Sequence, residues 1–155
     1  MADFRDISDE KLLRDCRLEV FRGSGPGGQK RNKTSSAVRL VHVPSGISAT
    51  ASDSRSQAQN RAAALKRLRH QMALQIRRPF EEGIINLDVS MRSDEYLPIM
   101  ARVLDALGET GWSISESAKK FGMGTAHLSA FLRRDEKLWA EVNQQRKKAG
   151  LKGLI

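Results

Sequence analysis

Apolar and polar residues alternate with a period of two over residues 16–22, CRLEVFR. Leu18 and Val20 fall on one side, and Arg17, Glu19 and Phe21 on the other, which predicts a strand with one buried face. SAVRLVHV (36–43) alternates again, setting Val38, Leu40 and His42 against Ala37, Arg39, Val41 and Val43. PSG (44–46) is a turn signal and ISATAS (47–52) a short returning strand, so the three segments predict one antiparallel sheet. Beyond them the period becomes helical. Ala58, Ala62, Leu65, Leu68 or Arg69, Met72 and Ile76 recur as one apolar stripe. Ser54 with Gln57, or Ser56 with Gln59, forms a capping box at its start, and Pro79 ends it.

Residues 80–92, FEEGIINLDVSMR, have no clean period and read as a linker. The remainder is helical. One helix is predicted from Ser93 or Asp94 to Leu107, with Pro98 in its first turn and Gly108 as its stop. Two shorter helices follow within 113–135: Ser113 and Glu116 make a capping box, GMG (122–124) breaks the chain, and Thr125 caps the second helix. Ala118, Gly122, Leu128 and Phe131 stand at the intervals of a helix-turn-helix. A last helix over 136–149 buries Leu138, Trp139 and Val142 and stops at Gly150, with Arg146, Lys147 and Lys148 at its negative dipole end. The fold class is therefore α+β. A small antiparallel sheet with a packed helix occupies 1–79 (core 14–78), a linker 80–92, and an all-α, helix-turn-helix-like unit 93–155.

Composition narrows the function classes. The chain has 155 residues, 39% of them apolar, and a single cysteine, Cys16, which excludes an internal disulfide. It carries no apolar run of membrane-span length and no leader-like N-terminus, so a monomer in the reducing cytoplasm, away from membranes, is expected. The net charge of +9 is unevenly spread. Residues 1–13 carry two cations and four acids, residues 14–78 fourteen cations and three acids, and residues 79–155 eleven of each. The positive field thus sits in the segment predicted to hold the sheet, and such a field draws polyanions, nucleic acid above all.

Between the first two strands lies GSGPGGQKRNK (23–33). It is not a P-loop, because its Gly-Gly is followed by Gln rather than by Gly-Lys-Ser/Thr. His42, His70 and His127 are scattered, and no metal-binding or Ser-His-Asp spacing stands out. What remains is a backbone feature. Gly27 and Gly28 allow positive φ and close approach of another molecule, Gln29 projects beyond them, and Lys30, Arg31 and Lys33 stand behind. This describes a narrow neutral tip on a cationic stem, suited to entering RNA and donating an N–H. The same residues also describe a flexible loop, and the pattern alone does not choose.

Residues 22–68 closely resemble the catalytic domain of class-I peptide chain release factors. The matching features, in order, are Ser-Gly-Pro-Gly-Gly-Gln (24–29), Asn-Lys-Thr (32–34), Ser-Ala-Val-Arg-Leu (36–40), His-x-Pro-x-Gly-Ile (42–47) and Arg-Ser-Gln (55–57). The resemblance covers about residues 14–78. It implies that the loop enters the peptidyl-transferase centre of the large ribosomal subunit and promotes hydrolysis of the peptidyl-tRNA ester. Gln29 would present its backbone N–H to the developing oxyanion or leaving group, its side chain would admit water and exclude larger nucleophiles, and Gly27 and Gly28 would supply the backbone shape. Relatives often carry N5-methylation on this glutamine. No metal or organic cofactor is implied, since 23S-type ribosomal RNA, the P-site tRNA and water complete the site. Arg22, Lys30, Arg31, Lys33, Arg39, Arg55, Arg61, Lys66 and Arg67 are the expected RNA contacts of this domain, with Arg146, Lys147 and Lys148 further along.

The sequence departs from the family in two places. Lys30-Arg31 follows the Gln where many members have His-Val or similar. The flanking segments, thirteen residues before the domain and a small helical unit after it, do not look like codon-reading domains. The chain looks more like the codon-independent hydrolases that rescue stalled ribosomes, although RKKAGLKGLI (146–155) is shorter than their basic tails. An alternative from another class is a non-catalytic nucleic-acid-binding protein, in which 113–135 reads DNA and the basic domain clamps RNA.

Overall fold

A computed structural model describes residues 4–22 and 36–155. The chain divides into two compact units, Met1–Met72 and Ala73–Ile155. Six α-helices, one 3-10 turn and three strands are present among the described residues, so the class is α+β as expected.

In the first unit a 3-10 turn (Phe4–Asp6) leads to α1 (Asp9–Arg14), whose N-cap Ser8 accepts from the Lys11 N–H at 3.3 Å. Strands β1 (Cys16–Phe21), β2 (Ala37–His42) and β3 (Ser48–Ala51) form one antiparallel sheet in that order. Phe21 stands opposite Ala37, Leu18 opposite Leu40, and Leu40 opposite Ala49. Helix α2 (Gln57–Gln75) begins at Ser56, whose Oγ accepts from the Gln59 N–H at 3.2 Å, the second of the two predicted capping arrangements. Val38, Leu40, Ala49 and Ala51 on one sheet face and Ala64, Leu65, Leu68 and Met72 on α2 are buried. Each of the larger side chains contributes about 1.5–3 kcal/mol.

Two sequence expectations are corrected here. Leu18 and Val20 share the apolar face of the sheet but are 43% and 41% exposed, because that face is covered over β2 and β3 and not over β1. The buried stripe of α2 is also rotated from the expected one. Ala58 and Ala62 are exposed, whereas Asn60, Ala64, Leu68 and Met72 are buried at intervals of four. Arg69 belongs to the inner side: its guanidinium donates to the Phe4 and Ile7 carbonyls at 2.8 and 2.9 Å and to Asp9 at 2.8 Å, fastening the N-terminal segment.

The second unit is helical: α3 (Tyr96–Glu109), α4 (Ile114–Lys120), α5 (Thr125–Arg133) and α6 (Glu136–Lys148). Ala118, Leu128 and Phe131 are buried as their spacing required. Helix α3 runs through Gly108, and the stop is Gly111 at φ +64°. The Trp112 N–H then reaches back to the Leu107 carbonyl at 2.8 Å, a bond that requires a left-handed residue before it. Gly124 caps α5, with Thr125 as its first helical residue.

Residues 80–92 pack within this unit. Leu87 and Val89 are buried, and Arg134 holds their carbonyls at 3.0 and 2.6 Å. Arg102 holds the Glu81 and Ile84 carbonyls, and Phe80 meets Phe121 edge-on at 5.2 Å. Such a segment shows no clean period because its packed side chains, Phe80, Leu87 and Val89, are irregularly spaced and arginines bind the backbone between and beside them.

Tyr96 is buried and donates its hydroxyl proton to Asp135 at 2.7 Å, while Asp135 caps α6. Burial, with that hydrogen bond, pushes the phenol far above its usual value. As pH rises the unfolded chain therefore loses this proton first, so the stabilisation is intact below about pH 10 and declines above it. Tyr96 is the only tyrosine, so the phenolate absorbance of the chain reports it alone. That absorbance should stay silent above pH 10 until the protein unfolds, and Tyr96→Phe should flatten the alkaline fall in the urea midpoint. A native titration near pH 10 contradicts this.

Candidate functional site

The loop residues Gly27, Gly28, Gln29, Lys30, Arg31 and Lys33 lie outside the described residues. The structure does describe what stands at their two ends. The β1–β2 ladder continues to the Phe21–Ala37 pair, so the chain leaves and re-enters the sheet at adjacent positions. Ser36, just before β2, is held from two directions. Its Oγ donates to the Ser54 carbonyl at 3.2 Å, and its own carbonyl accepts from Asn60 Nδ2 at 2.7 Å. Asn60 is 1% exposed; its Nδ2 also donates to the Ser54 carbonyl at 2.8 Å, and its Oδ1 accepts from the Ser54 N–H at 3.0 Å. One buried amide thus satisfies three backbone groups from two segments, each costly to leave unpaired in the core.

Around this junction the fold gathers predicted RNA contacts. Arg22 directly follows the last pair of β1, Arg55 directly follows Ser54, and Arg61 directly follows Asn60; all three are exposed. Lys66 is exposed further along α2. Arg55, Arg61 and Lys66 make no ion pair with another described residue. The two other predicted contacts of this unit among the described residues, Arg67 and Arg39, are already engaged. Arg67 donates to the Thr50 carbonyl at 2.9 Å and pairs with Asp53, bracing α2 against β3. Arg39 lies on the open sheet face, 3.3 Å from Glu19 Oε2 and 5.5 Å from the centre of the Phe21 ring.

In the second unit, Arg146 donates to the Trp112 and Lys152 carbonyls at 2.6 and 2.9 Å, whereas Lys147 and Lys148 are exposed. Lys148 edges an open cleft of about 430 Å³ beside Arg77, Trp112 and Gln145. The two arginines that end α5 are occupied. Arg134 holds residues 87 and 89, and Arg133 donates to the Ile155 carbonyl at 2.7 Å and covers the Trp139 ring. A DNA-reading role for 113–135 would lean on these two side chains.

The remaining chemistry is structural. His42 Nδ1 lies 2.6 Å from Ser45 Oγ, but His42 is buried at the end of β2 and Ser45 Oγ also accepts the Ile47 N–H at 3.2 Å, so the pair fastens a hairpin. Burial, with the Asp15 charge alongside, pushes the Cys16 thiol up and away from the nucleophilic thiolate. Sequence reasoning missed Asn60. Its only signal was one polar residue in register with Ala64, Leu68 and Met72.

Residues 7–83 match the RF-1 domain family. The chain is 51% identical over 69 residues to peptide chain release factor 1 of Lactiplantibacillus plantarum, covering 44% of this chain and 19% of the relative. It is 51% identical over 65 residues to peptide chain release factor 2 of Frankia casuarinae (42% and 17%), and 55% identical over 56 residues to peptide chain release factor 1 of Zymomonas mobilis (36% and 16%). The chain thus spans less than a fifth of the length of these curated relatives. The junction at Phe21, Ser36 and Ala37 therefore sits in a domain shared with them, and residues 7–83 are an RF-1 domain of the class-I peptide chain release factor family.

Proposed function

We propose that this chain is a peptidyl-tRNA hydrolase active only on the ribosome, and that it releases peptides from stalled complexes without reading a codon. The observation that carries the hydrolase reading is the ordered set of motifs from Ser24 to Gln57 within a matched RF-1 domain. In this reading, water adds to the ester carbonyl joining peptide to tRNA, and the bond to the ribose oxygen breaks. Peptide carboxylic acid and free tRNA hydroxyl result. Gln29 donates its backbone N–H to the oxygen that gains charge, Gly27 and Gly28 let the main chain approach, and ribosomal RNA and tRNA supply the rest of the site. No metal or organic cofactor is required. Arg22, Arg55, Arg61 and Lys66 meet RNA phosphates of the large subunit.

The rescue reading is the finer one and rests on the composition of residues 73–155. This is a helical unit whose Arg102, Arg134 and Arg146 hold its own backbone, with Lys147 and Lys148 left to meet ribosomal RNA. No helix among the described residues is long and apolar enough to cross a membrane.

Two expectations test this account. Gln29→Ala and Gly28→Ala should each abolish peptide release from stalled ribosomes in a single-turnover assay while ribosome binding persists; full release by both variants overturns the reading. Binding should also weaken steeply with salt. Arg61→Ala should make the log–log salt dependence shallower by about 0.7–0.9, one phosphate contact, without changing thermal stability. Arg67→Ala should instead lower stability, because it releases Thr50 and Asp53. Equal effects of the two on stability would contradict the assignment of free and engaged cations.

A further inference from the structure

We infer that Asn60 is a positioning residue for the release reaction. It fastens Ser36, at the point where the chain carrying Gln29 re-enters the sheet, and the inference rests on the hydrolase reading above. Gln29 lies seven residues before Ser36. The pairing of Phe21 with Ala37 holds the sheet residues on both sides of that segment. One residue before Ala37, side chains add to the ladder: the Ser36 carbonyl accepts from the amide of Asn60 at 2.7 Å, and the Ser36 hydroxyl donates to the Ser54 carbonyl at 3.2 Å.

The chemistry of the junction selects asparagine. Two carbonyls and one N–H converge there, so the side chain must give two hydrogens and take one. A neutral amide does this. A carboxylate would turn an oxygen toward both carbonyls, and an aliphatic side chain would take this partner from the Ser36 carbonyl and the Ser54 N–H and leave the Ser54 carbonyl only the Ser36 hydroxyl. The network continues outward: Ser54 Oγ donates to Gln59 Oε1 at 2.6 Å and accepts from the Ser56 N–H at 3.0 Å. The start of α2, the segment before it and Ser36 are therefore tied by one hydrogen-bond network. Arg55 and Arg61 stand next to members of that network, Ser54 and Asn60, so the re-entry point and these two cations share one support. Misplacement of a reacting group by about 1 Å can cost on the order of a hundredfold in rate, so the root of the loop is a sensitive place.

The test measures release from stalled ribosomes by full-length wild type, Gln29→Ala, Asn60→Asp, Ser36→Ala and Leu65→Ala, with a thermal melt of each. Asn60→Asp keeps the size of the side chain and the acceptor but loses both donations. It should lower kcat by about ten- to a hundredfold and leave the half-saturating ribosome concentration within about threefold. Leu65→Ala, which empties a buried site on the same helix, should lower the melting temperature at least as much and keep kcat. Ser36→Ala removes only the 3.2 Å bond and should lower kcat severalfold; it decides the matter if Asn60→Asp does not fold. Unchanged kcat in a folded Asn60→Asp overturns the inference, as does a kcat loss in Leu65→Ala that tracks its melting temperature equally. Loss of release in Gln29→Ala with full release in Asn60→Asp overturns this inference alone. Absence of release by the wild-type chain overturns the hydrolase reading and this inference with it.

Discussion

The antiparallel pairing of β1 with β2 is the constraint on which the N-terminal unit depends. It runs to the Phe21–Ala37 pair and so sets the residues at the two ends of the segment that carries Gln29 side by side. Closing a long loop is entropically mild once the ladder exists, because each doubling of its length adds only about 0.6 kcal/mol. The pairing is sustained by β2, whose Val38 and Leu40 are buried and which bonds to a strand on each side. The three-stranded frame thus holds the residues at both ends of the segment, and Asn60 adds a fastening at Ser36 beside the ladder.

Arginines divide into two kinds, and the division is not visible in the net charge. Arg69, Arg67, Arg102, Arg134 and Arg146 each hold backbone carbonyls, where the planar fork of guanidinium donors matches several acceptors at once. Such a side chain keeps its charge but gives up the donors with which it would clasp a phosphate. Among the described residues, Arg22, Arg55 and Arg61 make no ion pair, and they follow directly on Phe21, Ser54 and Asn60 at the junction. In the second unit the bound arginines add to apolar packing, most clearly along residues 80–92, where Leu87 and Val89 are buried and Arg134 holds their carbonyls.

Much of this was legible in the sequence, and the exceptions have definite causes. Strict alternation located β2, and capping serines located the starts of α2 and α4. Alternation could not tell an uncovered strand from a covered one, so Leu18 and Val20 were expected inside. Gly108 and Gly111 were equivalent as letters, and only the bond from Trp112 to Leu107 distinguishes a glycine carried within a helix from one that ends it. Asn60 was hidden because a polar letter on an apolar stripe usually marks the stripe's edge. Here it lies at the centre, made tolerable by three bonds to backbone groups distant in sequence. The Gly-Gly-Gln segment itself was legible as a motif, since its meaning depends on residue types in order rather than on packing.

The central claim is that this domain cleaves the peptidyl-tRNA ester on the ribosome without reading a codon. The most direct measurement is single-turnover peptide release at saturating protein from ribosomes whose message ends at the P site, compared with ribosomes displaying a sense codon or a stop codon beyond it. The account predicts rapid release from the truncated complex and no advantage for a stop codon over a sense codon. Release that requires the stop codon, or none from the truncated complex, would contradict it.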